Sequence, residues 1–178
     1  DVLILTKPLG TGVLFNACRS KKLPFRELEA ILPKIAMLNK AAMEAALVFK
    51  IHSCTDITGF GIMGHTLEMA KGSSVRIELR YERLPFHPHA LEMYRKGETT
   101  GSNKSNREIV EGFWEKKRQL SRDEEELLFD PQTSGGLLFS VPAAQAGELV
   151  KKLRLAGVED AGVVGEVYAG EKPAVVIR

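Results

Sequence analysis

The residues best placed for chemistry stand in Cys54-Thr55-Asp56-Ile57-Thr58-Gly59-Phe60-Gly61-Ile62-Met63-Gly64-His65, where an apolar run ends in one carboxylate and then in glycines spaced for a backbone turn. Val48-Phe49-Lys50-Ile51 approaches the turn, and Ile62-Met63 with Leu67, Met69 and Ala70 follows it at the three-to-four spacing of a helix face. Asp56 therefore falls between two regular elements. Gly59 and Gly61 can take positive φ or admit a close neighbour, and the first turn of the following helix offers unpaired N–H groups and a positive dipole end, which suits an anion. A carboxylate beside a phosphate cradle is the arrangement Mg²⁺ uses, because that ion binds through one or two carboxylates and completes its shell with phosphate oxygens and water. Asp56 is thus the candidate metal ligand, with Thr55, Thr58, Gly59 and Gly61 as phosphate- or nucleotide-proximal positions. The alternative is a helix start whose packing requires small residues.

A second stretch, Gln132-Thr133-Ser134-Gly135-Gly136, sets hydroxyls, an amide and two glycines directly before an apolar run, a composition that suits an anion-binding nest of backbone N–H groups. Thr133, Ser134 and Gly135 join the phosphate-proximal candidates; a helix-to-strand connection that needs glycine for its turn is the alternative. Gly59 and Gly135 are both expected to serve backbone geometry. Lys7, at the exit of the first apolar run, either contacts a phosphate or is solvated. His87-Pro88-His89 lacks a third ligand nearby and reads as a solvated turn rather than a metal site.

Around these stretches the pattern predicts the elements that must hold them. Val2 to Leu5 is a buried strand that Pro8, Gly10 and Gly12 end in a loop. Pro24 to Leu32 is a short helix, and Pro33 opens a longer one through Phe49 with Ile35, Leu38, Ala42, Ala45 and Phe49 on its buried face. The helix from Gly61 should stop near Gly72, after which Val75, Ile77, Leu79 and Tyr81 alternate as a strand with one face buried and one wet. Ala90 to Lys96 is a helix ended by Gly97, and Glu98 to Arg107 is an exposed loop of turn formers. Ser121 and Glu124 fit a capping box opening a helix that Asp130-Pro131 terminates. Leu137 to Val141 is a strand, Pro142 starts an amphipathic helix stopped by Gly157, and Val163 to Tyr168 with Ala174 to Ile177 reads as a hairpin ending in an edge or near-edge strand. The sum is an α+β fold, a mixed sheet covered by helices, in one domain over residues 1–178.

With 178 residues, 44% of them hydrophobic and 27% charged, the chain can bury a core of its own. A formal net charge of +2, with basic residues scattered among acidic ones, gives nucleic-acid binding no support. No apolar run approaches the ~20 residues that span a bilayer, so no membrane partner is expected and the cytoplasm is the expected compartment. Cys18 and Cys54 belong to no metal-ligand spacing and suit a reducing environment. Asp1 opens the chain without an initiator methionine, and it reads as a piece of a longer protein.

Thr55-Asp56-Ile57-Thr58-Gly59-Phe60-Gly61-Ile62-Met63-Gly64-His65, with Leu5-Thr6-Lys7-Pro8-Leu9-Gly10-Thr11-Gly12 before it and Asp130-Pro131-Gln132-Thr133-Ser134-Gly135-Gly136-Leu137-Leu138 after it, closely resembles the selenophosphate synthetases (selenide, water dikinases). The resemblance covers nearly the whole chain. It implies the C-terminal domain of the aminoimidazole ribonucleotide synthetase superfamily, preceded in the full protein by an N-terminal domain that carries the nucleotide loop, a catalytic Cys or selenocysteine with a Lys, and further carboxylates. It implies a reaction of ATP, selenide and water giving selenophosphate, AMP and phosphate for selenoprotein and selenouridine synthesis, with Mg²⁺ held partly by Asp56, and a homodimer at full length. No catalytic residue is then expected in this chain, which alone should be inactive. Gly101 and Asn106 match a Gly-Gly-Thr-type segment of that family, although Ser105 stands where arginine is usual. Thiamine-monophosphate kinase, a hydrogenase-maturation protein or a non-catalytic assembly module are the alternatives.

Overall fold

The computed structural model describes all 178 residues. The chain runs β1 (Val2–Leu5), α1 (Thr11–Arg19), α2 (Phe25–Glu29), α3 (Leu32–Ala36), α4 (Lys40–Ala46), β2 (Ser53–Asp56), α5 (Gly61–Ser73) and β3 (Arg76–Leu79). It continues through α6 (Ala90–Arg95), α7 (Asn103–Ile109), β4 (Trp114–Lys116), α8 (Arg122–Leu128), β5 (Leu137–Val141), α9 (Ala143–Leu155), β6 (Gly162–Tyr168) and β7 (Ala174–Ile177). The strands form one mixed sheet in the order β2-β5-β1-β6-β3-β7-β4. Pairing is antiparallel from β2 to β3 and parallel where β7 meets β3 and β4. The expected α+β class is what the chain adopts.

Strand β1 shows why one short apolar run can organise two layers. Side chains alternate across a strand, so Leu3 and Leu5 enter the large core with Ile57, Met63, Leu67, Ile77, Leu79, Phe129 and Val175, while Ile4 enters the opposite core with Phe139, Val141, Leu149 and Leu153. The first core is covered by α5 and the second by α4 and α9. A third cluster joins α1, α2 and α6 through Val13, Leu14, Ala17, Leu28, Met93 and Tyr94, with Leu127 of α8 closing it. Each fully buried Leu, Ile, Met or Phe contributes about 1.5–3 kcal/mol of transfer free energy.

Several expected elements differ, each for an identifiable reason. The loop expected after β1 spans residues 6–10 with Pro8 and Gly10, but Gly12 lies in helix α1, whose start carries no side-chain cap of its own because its first amides are satisfied by residues near position 130. The long helix from Pro33 breaks at Met37, which is extended (φ −60, ψ 126), and the Lys7 ammonium binds the carbonyls of Ile35 and Met37 at the break. Leu38, expected on the buried face, is consequently 74% exposed. Helix α5 runs past Gly72 and turns at Ser74 in the left-handed region. On β3 no face is wet, since Ile77, Glu78 and Leu79 are all buried, with Glu78 paired to Lys117.

The expected loop at 98–107 holds α7, in which Asn103 and Asn106 are buried. Strands β6 and β7 make no hairpin, because β3 inserts between them; β7 is nonetheless near-edge, with β4 outside it. His87 is buried rather than solvated. The capping box is present, Ser121 Oγ accepting from the Glu124 amide and Glu124 accepting from the Ser121 amide.

Candidate functional site

Three stretches far apart in sequence lock together at one end of the sheet. Strand β2 ends at Asp56, whose register partner across the antiparallel pair is Leu137 at the start of β5. The turn after it is tied to the 129–136 segment, with the Ile57 amide donating to Gly136 O (2.8 Å) and the Gln132 amide donating to Thr58 O (3.0 Å). The first stretch is tied to the same segment: the Leu137 amide donates to Thr6 Oγ1 (2.7 Å) and the Thr133 amide to Thr11 Oγ1 (2.8 Å). Lys7 is neither solvated nor free for a phosphate. Its Nζ donates to Ser134 O (2.8 Å) and Met37 O (2.6 Å), and burial lowers its pKa.

Asp130 and Gln132 are the residues that make this junction; Asp130 was expected only to terminate a helix and Gln132 only to contribute an amide to an anion-binding turn. The Asp130 carboxylate accepts from the Gly12 amide (2.9 Å), the Val13 amide (2.8 Å), the Tyr94 hydroxyl (2.6 Å) and Gln132 Nε2 (3.0 Å). Gln132 Oε1 accepts from the amides of Gly10 and Thr11. Together they cap the start of α1 from about 120 positions away, where a carboxylate also meets the positive end of the helix dipole. Burial pushes the Asp130 carboxyl up to about 6, against the opposing pull of these donors. Asn106 adds a second brace, its Nδ2 donating to Gly59 O (2.8 Å) and Phe129 O (2.9 Å).

The glycines divide by what surrounds them. A Cβ on Gly135 would stand 2.0 Å from Ile57 O, so the strand pair closes only around a hydrogen atom there. Gly61 has φ +68, and its Cβ position faces Asp130 O at 3.0 Å and Leu128 O at 3.2 Å, so the entry of α5 packs on the carbonyl end of α8. Gly59 has neither a positive φ nor any atom within 4 Å of its Cβ position. The expectation that Gly59 serves backbone geometry is therefore corrected, and the one for Gly135 holds through close approach rather than through φ.

Asp56 itself is exposed at the end of β2; Thr55 and Thr58 are half-buried, and Thr133 and Ser134 are exposed. Ser134 carries a positive φ of 50. No three His, Cys, Asp or Glu side chains gather to hold a metal anywhere in the chain. Any cation here must take most of its ligands from other oxygen donors. The Cys54 thiol is pushed up to about 11, first by desolvation and then by the Asp56 charge, so at neutral pH it is not a thiolate nucleophile. Behind Asp56, Thr58 Oγ1 lies 3.0 Å from Nε2 of buried His65, and His65 Nδ1 lies 2.9 Å from Glu68 Oε2. Phe60 covers the imidazole, ring centroids 5.4 Å apart.

All 178 residues match the family model described as "AIR synthase related protein, C-terminal domain", and the chain belongs to that family. Solved relatives share the fold at low identity. HypE of E. coli aligns over 99% of this chain and 45% of its own, at 15% identity and a TM-score of 0.62. Thiamine monophosphate kinase from Aquifex aeolicus aligns over 99% of this chain and 49% of its own, at 17% identity and a TM-score of 0.60.

Curated proteins named selenide, water dikinase are similar to the chain at higher identity. The one from Pelobacter propionicus is 40% identical over 181 positions, covering 100% of this chain and 51% of its own length. That from Clostridioides difficile is 39% identical over 178 positions, covering 99% and 51%. The chain thus spans about half the length of the relatives it matches.

Proposed function

We propose that this chain is the C-terminal half of a selenide, water dikinase, an enzyme that converts ATP, selenide and water into selenophosphate, AMP and phosphate. The observation that carries the reading is the convergence of three segments: the stretches around Lys7, Asp56 and Gln132 that resemble this family interlock at one end of the sheet. The identity of 36–42% to proteins of that name, spread over nearly the whole chain, supports the same reading.

Within it, Asp56 is a ligand to Mg²⁺. The donor set fits one part of such a site, since Mg²⁺ takes one or two carboxylates and fills its octahedron with phosphate oxygens and water. Bound there, the ion would neutralise charge on the polyphosphate. The chain's own contribution is to hold Asp56 at the end of a strand whose neighbour is fixed by Gly135, with Thr58 in the turn that follows it. The remaining ligands, the nucleotide loop and the nucleophile belong to an N-terminal domain, with which this half would work in a cytoplasmic homodimer. On its own the chain folds and does no chemistry.

The test is reconstitution. Joined to the N-terminal half of a relative, the chain should form AMP and selenophosphate from ATP and selenide with Mg²⁺. An assembled protein that phosphorylates thiamine monophosphate instead, or that turns over no ATP, would reject the reading.

A further inference from the structure

The unit Thr58–His65–Glu68 has no place yet in the site. It lies one turn into α5 and reaches back to the residue two positions after Asp56. The imidazole is 7% exposed and bonded at both ring nitrogens. A carboxylate can only accept, so Glu68 Oε2, 2.9 Å from Nδ1, fixes the proton on Nδ1. In the neutral imidazole Nε2 is then the acceptor, and the group facing it at 3.0 Å, the Thr58 hydroxyl, donates. A hydroxyl has one proton; with it committed inward, the Thr58 oxygen offers only lone pairs outward. An oxygen in that state repels phosphate oxygens and suits a cation or the water bound to one. The backbone is fixed as well, since Thr58 O accepts from the amides of both Gly61 and Gln132.

We infer that Thr58 Oγ1 is a second oxygen ligand, direct or through one water, for the divalent cation at Asp56, and that His65 and Glu68 are positioning residues that set its hydrogen-bond polarity. This rests on the reading of Asp56 as a cation ligand. It also changes the part expected of Thr58, from a phosphate neighbour to a member of the cation site. Loss of an outer positioning partner of this kind typically weakens metal binding about 10- to 100-fold.

The test uses the 178-residue chain with Mn²⁺ as probe, followed by water-proton relaxation, and ¹⁵N spectra of His65 at neutral pH without metal. The spectra should show a protonated Nδ1 and a bare Nε2. Asp56→Asn should remove Mn²⁺ binding, and Thr58→Val should weaken it at least about tenfold, lowering the melt only by the cost of one unpaired imidazole nitrogen. Thr58→Ser, which keeps the hydroxyl, should bind as wild type. Glu68→Gln still accepts from Nδ1 and should retain both the tautomer and the affinity, whereas Glu68→Leu should lose both. A proton on Nε2, or a Thr58→Val chain that binds Mn²⁺ normally while Asp56→Asn does not, overturns this inference and spares the reading of Asp56. Unchanged binding in Asp56→Asn overturns both, and no binding by the wild type at millimolar Mn²⁺ overturns this inference, since Asp56 and Thr58 then make no cation site in this chain.

Discussion

At the β2–β5–β1 end of the sheet, buried side chains from one segment satisfy backbone groups of another, whereas at the β3–β7–β4 end charged side chains pair with each other near the surface. Asp130, Gln132 and Lys7 exemplify the first arrangement, joining the start of α1, the break before α4 and the turn before β5. Arg76 with Glu115, 2.7 Å apart, and Arg118 with Glu82 exemplify the second. The difference follows from what is left unpaired when a residue is lost. A buried amide or carbonyl without a partner keeps its full desolvation penalty, while an exposed ion loses a pair that water nearly replaces. The motif end is therefore intolerant in a way that its exposed Asp56 does not reveal.

The comparison breaks first at Asp130. Asp130→Ala strands the Gly12 and Val13 amides and the Tyr94 hydroxyl, and should cost about 3–5 kcal/mol of unfolding free energy in a denaturant titration. Gly135→Ala forces a methyl against Ile57 O and should cost about 1–3 kcal/mol, while Gly59→Ala, with open space around it, should stay within about 0.5 kcal/mol. A Gly59 variant as damaging as the Gly135 variant would contradict the assignment of close approach to one and not the other. Lys7→Met leaves three carbonyls without their donor and should cost about 1–3 kcal/mol. At the other end, Glu82→Gln should change stability by no more than about 1 kcal/mol and less at high salt.

Acid titration sharpens the contrast through two buried groups of opposite sign. Burial pushes His87 down to about 4, so the unfolded chain takes the proton first and the stability this residue contributes is lost as pH falls from its ordinary 6.5 towards 4. Asp130 is pushed up to about 6 from an ordinary 3.8, so the folded chain takes the proton first and its contribution grows as pH falls through 6. The wild-type advantage over His87→Gln should shrink on acidification between pH 6 and 4, and the advantage over Asp130→Asn should widen. Parallel trends for the two variants would refute the opposed shifts.

Much of the fold was legible because hydrophobic period and caps act locally. The continuous apolar run of β1, the capping box at Ser121 and Glu124, and the amphipathic stripe of α9 each carry their own signal within a few residues. What was illegible depends on distant partners. Helix α1 has its cap at Asp130 and Gln132, α7 is braced by Asn103 on Glu126 O and by Asn106 on Phe129 O, and the helix break at Met37 is held by Lys7. Turn formers at 98–107 have the composition of a loop and, from Asn103 onward, the structure of a helix, because both asparagines of that stretch donate to backbone carbonyls rather than to water. The same division holds around the motif. The place of Asp56 between a strand and a helix and the close approach at Gly135 were readable from motif and spacing; the Thr58–His65–Glu68 unit needed the geometry of α5.

The most direct measurement is the activity and stability of Asp56→Asn in a protein that carries both halves. The account predicts an unchanged melt, since Asp56 is exposed and braces nothing, together with loss of Mg²⁺-dependent ATP turnover. Full turnover by that variant at saturating Mg²⁺ would contradict it.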